Sequence, residues 1–252
     1  MPVNDFGRVA DIYDATRSLP EPEMVLLLEA MRRQIRGGPV IDVGVGTGRF
    51  ALPLQRMGLE VVGIDLSRKM MAKAREKGTG NLLYADVQQI PFRDQTFETA
   101  LLVHILHLVS DWTKVVRESA RVAKGTVMSV VETADGTNLR DRYLELRNEM
   151  GYHLVRFEEG EKGLEGRVKP LSVTRVTETE REWTADEEIQ HLLERGQSLT
   201  WDVPDETHQK IVGILRSTYG GQKLRMKGRI ELVTWSSEQL RTADLGPRSS
   251  PG

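Results

Sequence analysis

The chain of 252 residues contains no cysteine, so disulfide staples, thiolate metal ligands and a cysteine nucleophile are all excluded. Charge of one sign is lacking as well. With 35 Lys and Arg against 37 Asp and Glu, the formal net charge is -2, and no broad field exists to gather nucleic acid or an anionic membrane surface. Long apolar runs are absent, since stretches such as Ala100 to Val103 are far too short to span a bilayer. The N-terminus has no basic segment followed by an apolar run. These absences lead us to expect a cytoplasmic chain with no nucleic-acid and no membrane partner, either a monomer or a homodimer. Its length suffices to bury a core as one domain with embellishments.

What is present is a regular alternation. Met24, Leu28, Met31 and Ile35 fall on one face at helical spacing and predict a helix over 21–35, ended by Gly37, Gly38 and Pro39. Short apolar runs then predict strands over 40–43, 61–64, 82–84, 98–103 and 126–131. Between them fall predicted helices over 50–57, 67–77 and 112–123, the second capped by Ser67 and stopped at Gly78. Apolar strands separated by helices imply a doubly wound, mostly parallel α/β sheet covered on both faces. After Glu132 the pattern predicts helices over 138–150, 186–194 and 205–218 and strands over 172–178 and 229–235. The stretch leading to Pro170 is polar and punctuated by glycine, and 243–252, rich in Gly, Pro and Ser, reads as a disordered tail. There is no internal repeat.

The most informative segment runs from Val40 to Phe50, Val-Ile-Asp-Val-Gly-Val-Gly-Thr-Gly-Arg-Phe, a buried strand running into three glycines, Gly44, Gly46 and Gly48. Such a loop lets backbone N–H groups approach a ligand closely. A second strand ends at Asp65, near the separation of about 20 residues at which an acid meets ribose hydroxyls. Asp86 follows the third strand. Acids at successive strand ends, Asp42 included, repel phosphate and favour an uncharged, adenosine-like ligand over a nucleotide. Arg49 stands where a dinucleotide loop wants glycine or alanine, which argues against NAD and a nucleotide-dependent oxidoreductase.

Here the chain resembles the class I S-adenosylmethionine-dependent methyltransferases, particularly the branch (type 11) similar to ubiquinone and menaquinone biosynthesis methyltransferases. The resemblance rests on Val40 to Gly48, on Asp65, on Asp86-Val87 with Ile90-Pro91-Phe92, on Phe97 to Asp111, and on Tyr13 to Arg17. It implies a Rossmann-like sheet of seven strands with an N-terminal helical segment and a C-terminal lid or insertion. It also implies S-adenosyl-L-methionine as cofactor, S-adenosyl-L-homocysteine as product, and a small-molecule acceptor whose methylated atom (O, N or C) stays open. Among site residues it implies Asp42 near the methionine amino group, Asp65 with Leu66 at the ribose, Asp86 with Val87 at the adenine, Val103 beside the ligand, and Tyr13 and Arg17 closing over it. The expected organisation is a single domain over 1–242: a helical cap over 1–36, a cofactor-binding core over 37–133 and acceptor-side elements with closing strands over 134–235. Val122-Ala123-Lys124-Gly125-Thr126 departs from the family's Pro-Gly-Gly turn without touching the cofactor residues.

A sulfonium donor carries its own activated leaving group, so alignment and exclusion of water are the protein's main tasks. The catalytic inventory is correspondingly thin. His104, expected at the end of the fourth strand, is the candidate base or orienting group, whereas His107 is expected deeper in the turn. Asp111 reads either as a partner for a histidine or as a helix cap. Trp183 and Trp201 read as core or lid packing, with Trp201 kept as a candidate for the acceptor pocket. His153, His191 and His208 are scattered without paired spacing, so no metal site is expected. The rival outside the enzymes is a non-catalytic module that binds the same cofactor.

Overall fold

The computed structural model describes residues 7, 10–11, 13–14, 19–136, 138–153, 160–195 and 198–246. Arg17, much of the expected cap over 1–36 and the tail from 247 onward lie outside the described residues. Along the chain run α1 (Glu21–Gln34), β1 (Val40–Val43), α2 (Ala51–Arg56), β2 (Val61–Asp65), α3 (Arg68–Glu76), β3 (Leu82–Tyr84) and β4 (Phe97–Leu101). A 3₁₀ turn (Leu106–Leu108), α4 (Trp112–Val122), β5 (Ala123–Gly136), α5 (Leu139–Glu149), α6 (Gly160–Arg167) and β6 (Ser172–Thr184) follow. The chain continues with α7 (Ala185–Leu193), α8 (Asp205–Tyr219), β7 (Lys223–Ser236) and α9 (Ser237–Thr242). The seven strands form one sheet in the order β3-β2-β1-β4-β5-β7-β6. Pairings β1–β2, β1–β4, β2–β3 and β4–β5 are parallel, with Val40 opposite both Val61 and Thr99.

The doubly wound expectation holds, and the alternation of side chains explains why. In β1, Ile41 and Val43 join one apolar cluster with Trp112, Val115 and Val116 of α4. Val40, one residue out of phase, joins the opposite cluster with Leu27, Leu28 and Met31 of α1. The same split recurs at Ala100 and Leu101 of β4 and at Val127 and Met128 of β5, so each strand is apolar on both faces and reads as an unbroken run. Helix α3 begins at the predicted cap, where the Ser67 side chain accepts from the Met70 N–H. Asp111 caps α4 through the Lys114 N–H at 3.1 Å. Two short helices, α6 and α9, were not expected from the sequence.

The chain divides into two compact units, one comprising 1–131, 156–177 and 230–252, the other 132–155 and 178–229. The division falls inside the three long strands β5, β6 and β7. The second unit has its own core, in which Leu139, Tyr143 and Leu146 of α5 pack with Ile189 and Leu192 of α7 and Ile211, Val212 and Leu215 of α8. Arg147, fully buried there, bonds to the Tyr152 and Leu199 carbonyls and to Asp202. Trp183 donates to Glu188 and Trp201 to the Arg195 carbonyl, which suits the packing role expected of both tryptophans.

His208 sits in this second core, 1% exposed, with Nδ1 2.6 Å from the Tyr143 hydroxyl. Burial, then the Arg195 charge, hold its pKa below the ordinary value. A histidine that charges more readily unfolded stabilises the fold fully above its unfolded pKa of about 6.5, and the contribution drains away as pH falls toward the folded value. The stability advantage of wild type over His208→Asn, measured by urea denaturation, is therefore expected to be largest at pH 7.5 and to shrink at pH 5.5. An advantage that grows on acidification contradicts the neutral buried ring.

Candidate functional site

The site is assembled at the carboxyl edge of β1, β2 and β4. Beyond Val43 the chain turns on Gly44, Gly46 and Gly48, all at positive φ, and the N–H groups of Gly44 and Val45 both bond the Ile64 carbonyl at 2.9 Å. Two of these glycines are also required by space. A Cβ on Gly44 would come within 2.8 Å of the Ile105 side chain. One on Gly48 would collide with the Thr79 hydroxyl and approach Ala74 Cβ at 3.3 Å.

Asp65, the last residue of β2, ties this loop down. Its Oδ2 accepts the Gly46 N–H at 2.9 Å, its Oδ1 accepts the Ser67 N–H at 2.7 Å, and the Leu66 N–H also donates to it. Burial pushes the Asp65 carboxyl up, and these amides pull against the shift. Asp42 lies just behind, one residue before the end of β1 and 3% exposed. Burial and then the charge of Asp65 push its carboxyl up to about 7, opposed by the Ala51 N–H. Among the described residues no side-chain cation is bonded to either of these neighbouring carboxylates, which leaves the place short of positive charge.

The other expected cofactor residues surround this pair in sequence order. Leu66 is exposed immediately after Asp65. Asp86, two residues past β3, accepts the Gln88 N–H at 2.8 Å, and Val87 beside it is buried. The following loop is held by Arg121 of α4, which donates to the Ile90 and Phe92 carbonyls, while Glu118 accepts the Ile90 N–H at 2.8 Å. Val103 is buried just past β4. Tyr13 is half-buried. Its neighbour Asp14, which the sequence reading did not single out, accepts from the Thr47 hydroxyl of the glycine loop at 2.6 Å and pairs with Lys77 at 2.6 Å.

Two expectations about the histidines are corrected. Strand β4 stops at Leu101, so His104 does not end it but lies three residues on, at φ +55. That left-handed conformation cannot continue a strand, and it costs a non-glycine residue strain that often marks functional turns. His107 is not deep in the turn: its side chain is 48% exposed, because the 3₁₀ turn buries Leu106 instead. A carboxylate that the sequence reading missed stands beside them. Glu161 of α6 places Oε2 3.6 Å from His107 Nδ1, and its polar, glycine-rich surroundings in sequence carried no signal. Among the described residues no group of three His, Asp or Glu has metal-holding geometry, and no helix is long and apolar enough to cross a membrane.

Residues 41–128 match the family model described as a methyltransferase domain. Among curated relatives, a phosphatidylethanolamine N-methyltransferase from Cereibacter sphaeroides is 40% identical over 96 residues, covering 35% of this chain and 47% of the relative. A demethylmenaquinone methyltransferase from Tropheryma whipplei is 33% identical over 133 residues, covering 47% and 53%. The chain spans about half the length of the curated relatives it matches. In fold it is similar to the crystal structure of the YcgJ protein from Bacillus subtilis, with a TM-score of 0.55 and 22% identity over 85% of this chain and 98% of the other. Residues 41–128 thus resemble a methyltransferase domain, and the fold around them is Rossmann-like.

The loop geometry gives a direct test. Gly48→Ala meets both an unfavourable φ and a collision with Thr79, whereas Gly58→Ala meets only the unfavourable φ, having open space around it. A left-handed alanine costs about 1–2 kcal/mol. Gly58→Ala should therefore lower stability by about that amount and Gly48→Ala by clearly more, as read by chemical denaturation. Equal losses count against a close-packed loop.

Proposed function

We propose that this protein is an S-adenosylmethionine-dependent methyltransferase acting on a small molecule by in-line displacement. The observation that carries the reading is the Asp65 carboxylate bonded to the Gly46 N–H with buried Asp42 behind it. This pair offers hydrogen-bond acceptors to ribose hydroxyls and negative charge to an ammonium or sulfonium, and it repels phosphate. In this reading Asp65 and Leu66 hold the ribose, Asp42 faces the amino group, Gly44, Gly46 and Gly48 let the backbone approach, and Asp86 and Val87 take the adenine. Val103 lines the ligand, and Tyr13 and Arg17 cover it. The family match over 41–128 and the relatives' names, methyltransferases of a lipid headgroup amine and of a quinone precursor, support a small acceptor.

S-adenosylmethionine supplies a methyl group on an already activated sulfonium. What remains for the chain is to orient the acceptor, keep water out and accept a proton if the acceptor has one to lose. His104 is assigned that last role from its strained turn just past β4. Residues 37–133 hold the cofactor and 134–235 set acceptor choice. The lack of cysteine and the balanced charge fit a cytoplasmic enzyme, monomeric or homodimeric, without a nucleic-acid partner.

Calorimetry should give binding of S-adenosylhomocysteine and little or none of NAD. Asp65→Asn retains an acceptor oxygen for the loop amides but loses the charge. Loss of charge-assisted hydrogen bonds is worth about 1.5–3 kcal/mol, so affinity should fall roughly 10- to 150-fold; the melting temperature should fall too, because the new NH2 faces one of the N–H groups that Oδ1 and Oδ2 accept. Wild-type affinity of Asp65→Asn for S-adenosylhomocysteine unseats Asp65 from the ribose.

Asp42 adds a pH dependence. With its carboxyl pushed up to about 7, the proton must leave before the carboxylate can pair with the ligand's ammonium, so affinity for S-adenosylhomocysteine should rise from pH 6 to pH 8. In Asp42→Asn that slope should flatten. A slope unchanged by the substitution assigns the titration to another group. Transfer of labelled methyl across amines, phenols, quinol precursors and carboxylates separates an enzyme from a module that only binds.

A further inference from the structure

Glu161 is the second residue of α6 and a carboxylate the reading above leaves without a task. Its side chain is 14% exposed. Oε2 has the His107 ring at 3.6 Å, a charge contact rather than a good hydrogen bond, and Oε1 is buried with no hydrogen-bond partner among the described residues. The placement is fixed by packing. Leu164, one turn along α6, is fully buried in the core of the sheet unit. Gly160 lets the helix start lie against the turn, where a Cβ would come 3.2 Å from the His107 amide nitrogen. Burial pushes the Glu161 carboxyl up, but the His107 ring, then a hydrogen bond from the Glu161 N–H and a smaller contribution from His104, hold it below its ordinary value, so the group is ionised at neutral pH.

An ionised, buried carboxylate oxygen with no donor is costly, and in a chain that handles a ligand such a group is a candidate to receive one. A carboxylate only accepts, so the ligand must donate. An ammonium brings a donor and the missing charge together, whereas a hydroxyl brings the donor alone. Resting on the methyl-transfer reading, we propose that Glu161 anchors the methyl acceptor and that this acceptor is an amine. The bound ammonium passes one proton to the His104 imidazole. The freed nitrogen lone pair then forms the C–N bond as the methyl–sulfur bond breaks and its electron pair returns to sulfur, leaving an N-methylammonium and S-adenosylhomocysteine, and His104 later releases its proton to solvent. Glu161 takes no proton and binds throughout.

The test uses the full chain with S-adenosylhomocysteine added, its binding followed separately by calorimetry. Failure of that binding strikes the methyl-transfer reading, and the ring signals recorded without the ligand then judge Glu161 alone. Histidine ring signals, assigned by single substitutions, are recorded while hexylammonium chloride, 1-hexanol or phenol is titrated in. Hexylammonium should move the His104 and His107 signals in wild type, and Glu161→Gln should weaken that response at least about tenfold while melting like wild type. Glu161→Asp, which keeps the charge, should restore part of it and serves as the main variant if Glu161→Gln does not fold. An equal response to hexylammonium with and without the carboxylate overturns the proposal. So does a response to 1-hexanol or phenol as strong as that to the cation, which assigns the site to a hydroxyl acceptor.

Discussion

A single carboxylate at the end of β2 holds the glycine loop in place. Asp65 accepts from Gly46 on one side and from Ser67 and Leu66 on the other, so the loop after β1 and the turn into α3 are fixed to one point. Burying that charge is unfavourable, and the three amides offset much of the cost because none of them has to be reoriented. Asp42 behind it raises the stakes, since two neighbouring carboxylates cannot both ionise freely. The pair therefore carries unbalanced negative charge in a buried place. The close fit of Gly44 against Ile105 and of Gly48 against Thr79 keeps the loop from relaxing away.

The parts of the fold legible in the sequence were those where one physical signal acts alone. Strands β1 and β3 were read at their observed limits because both are short apolar runs bounded by turn residues. Strand β4 was read too long because Leu102 and Val103 continue its apolar run. What ends it is the left-handed turn at His104, a backbone property that no side-chain pattern announces. Strands β5, β6 and β7 were read too short, since their outer halves carry polar and charged residues such as Glu180, Glu182 and Arg225, which pair across the second unit.

Helix α6 escaped for the opposite reason. Gly160, Gly163 and Gly166 give it poor intrinsic helix propensity, and it forms because Leu164 and Val168 are buried in the main core. With α6 unseen, Glu161 could not be placed beside His107. The candidate site was legible where residue type and spacing carry the chemistry, as at Asp42, Asp65 and the three glycines. It was illegible where residues distant in sequence meet, as at Asp14 and Thr47.

That last meeting gives the bathing solution a hold on the site. Asp14 joins Thr47 in the glycine loop to Lys77 beyond α3, and Asp11 pairs with Lys73 of the same helix at 2.7 Å. Both ion pairs lie in water, where mobile ions weaken them, while the buried pair Asp42 and Asp65 is sheltered. Ionic strength therefore acts on the contacts that Asp11 and Asp14 make with α3 and its end, and leaves the buried carboxylates nearly untouched.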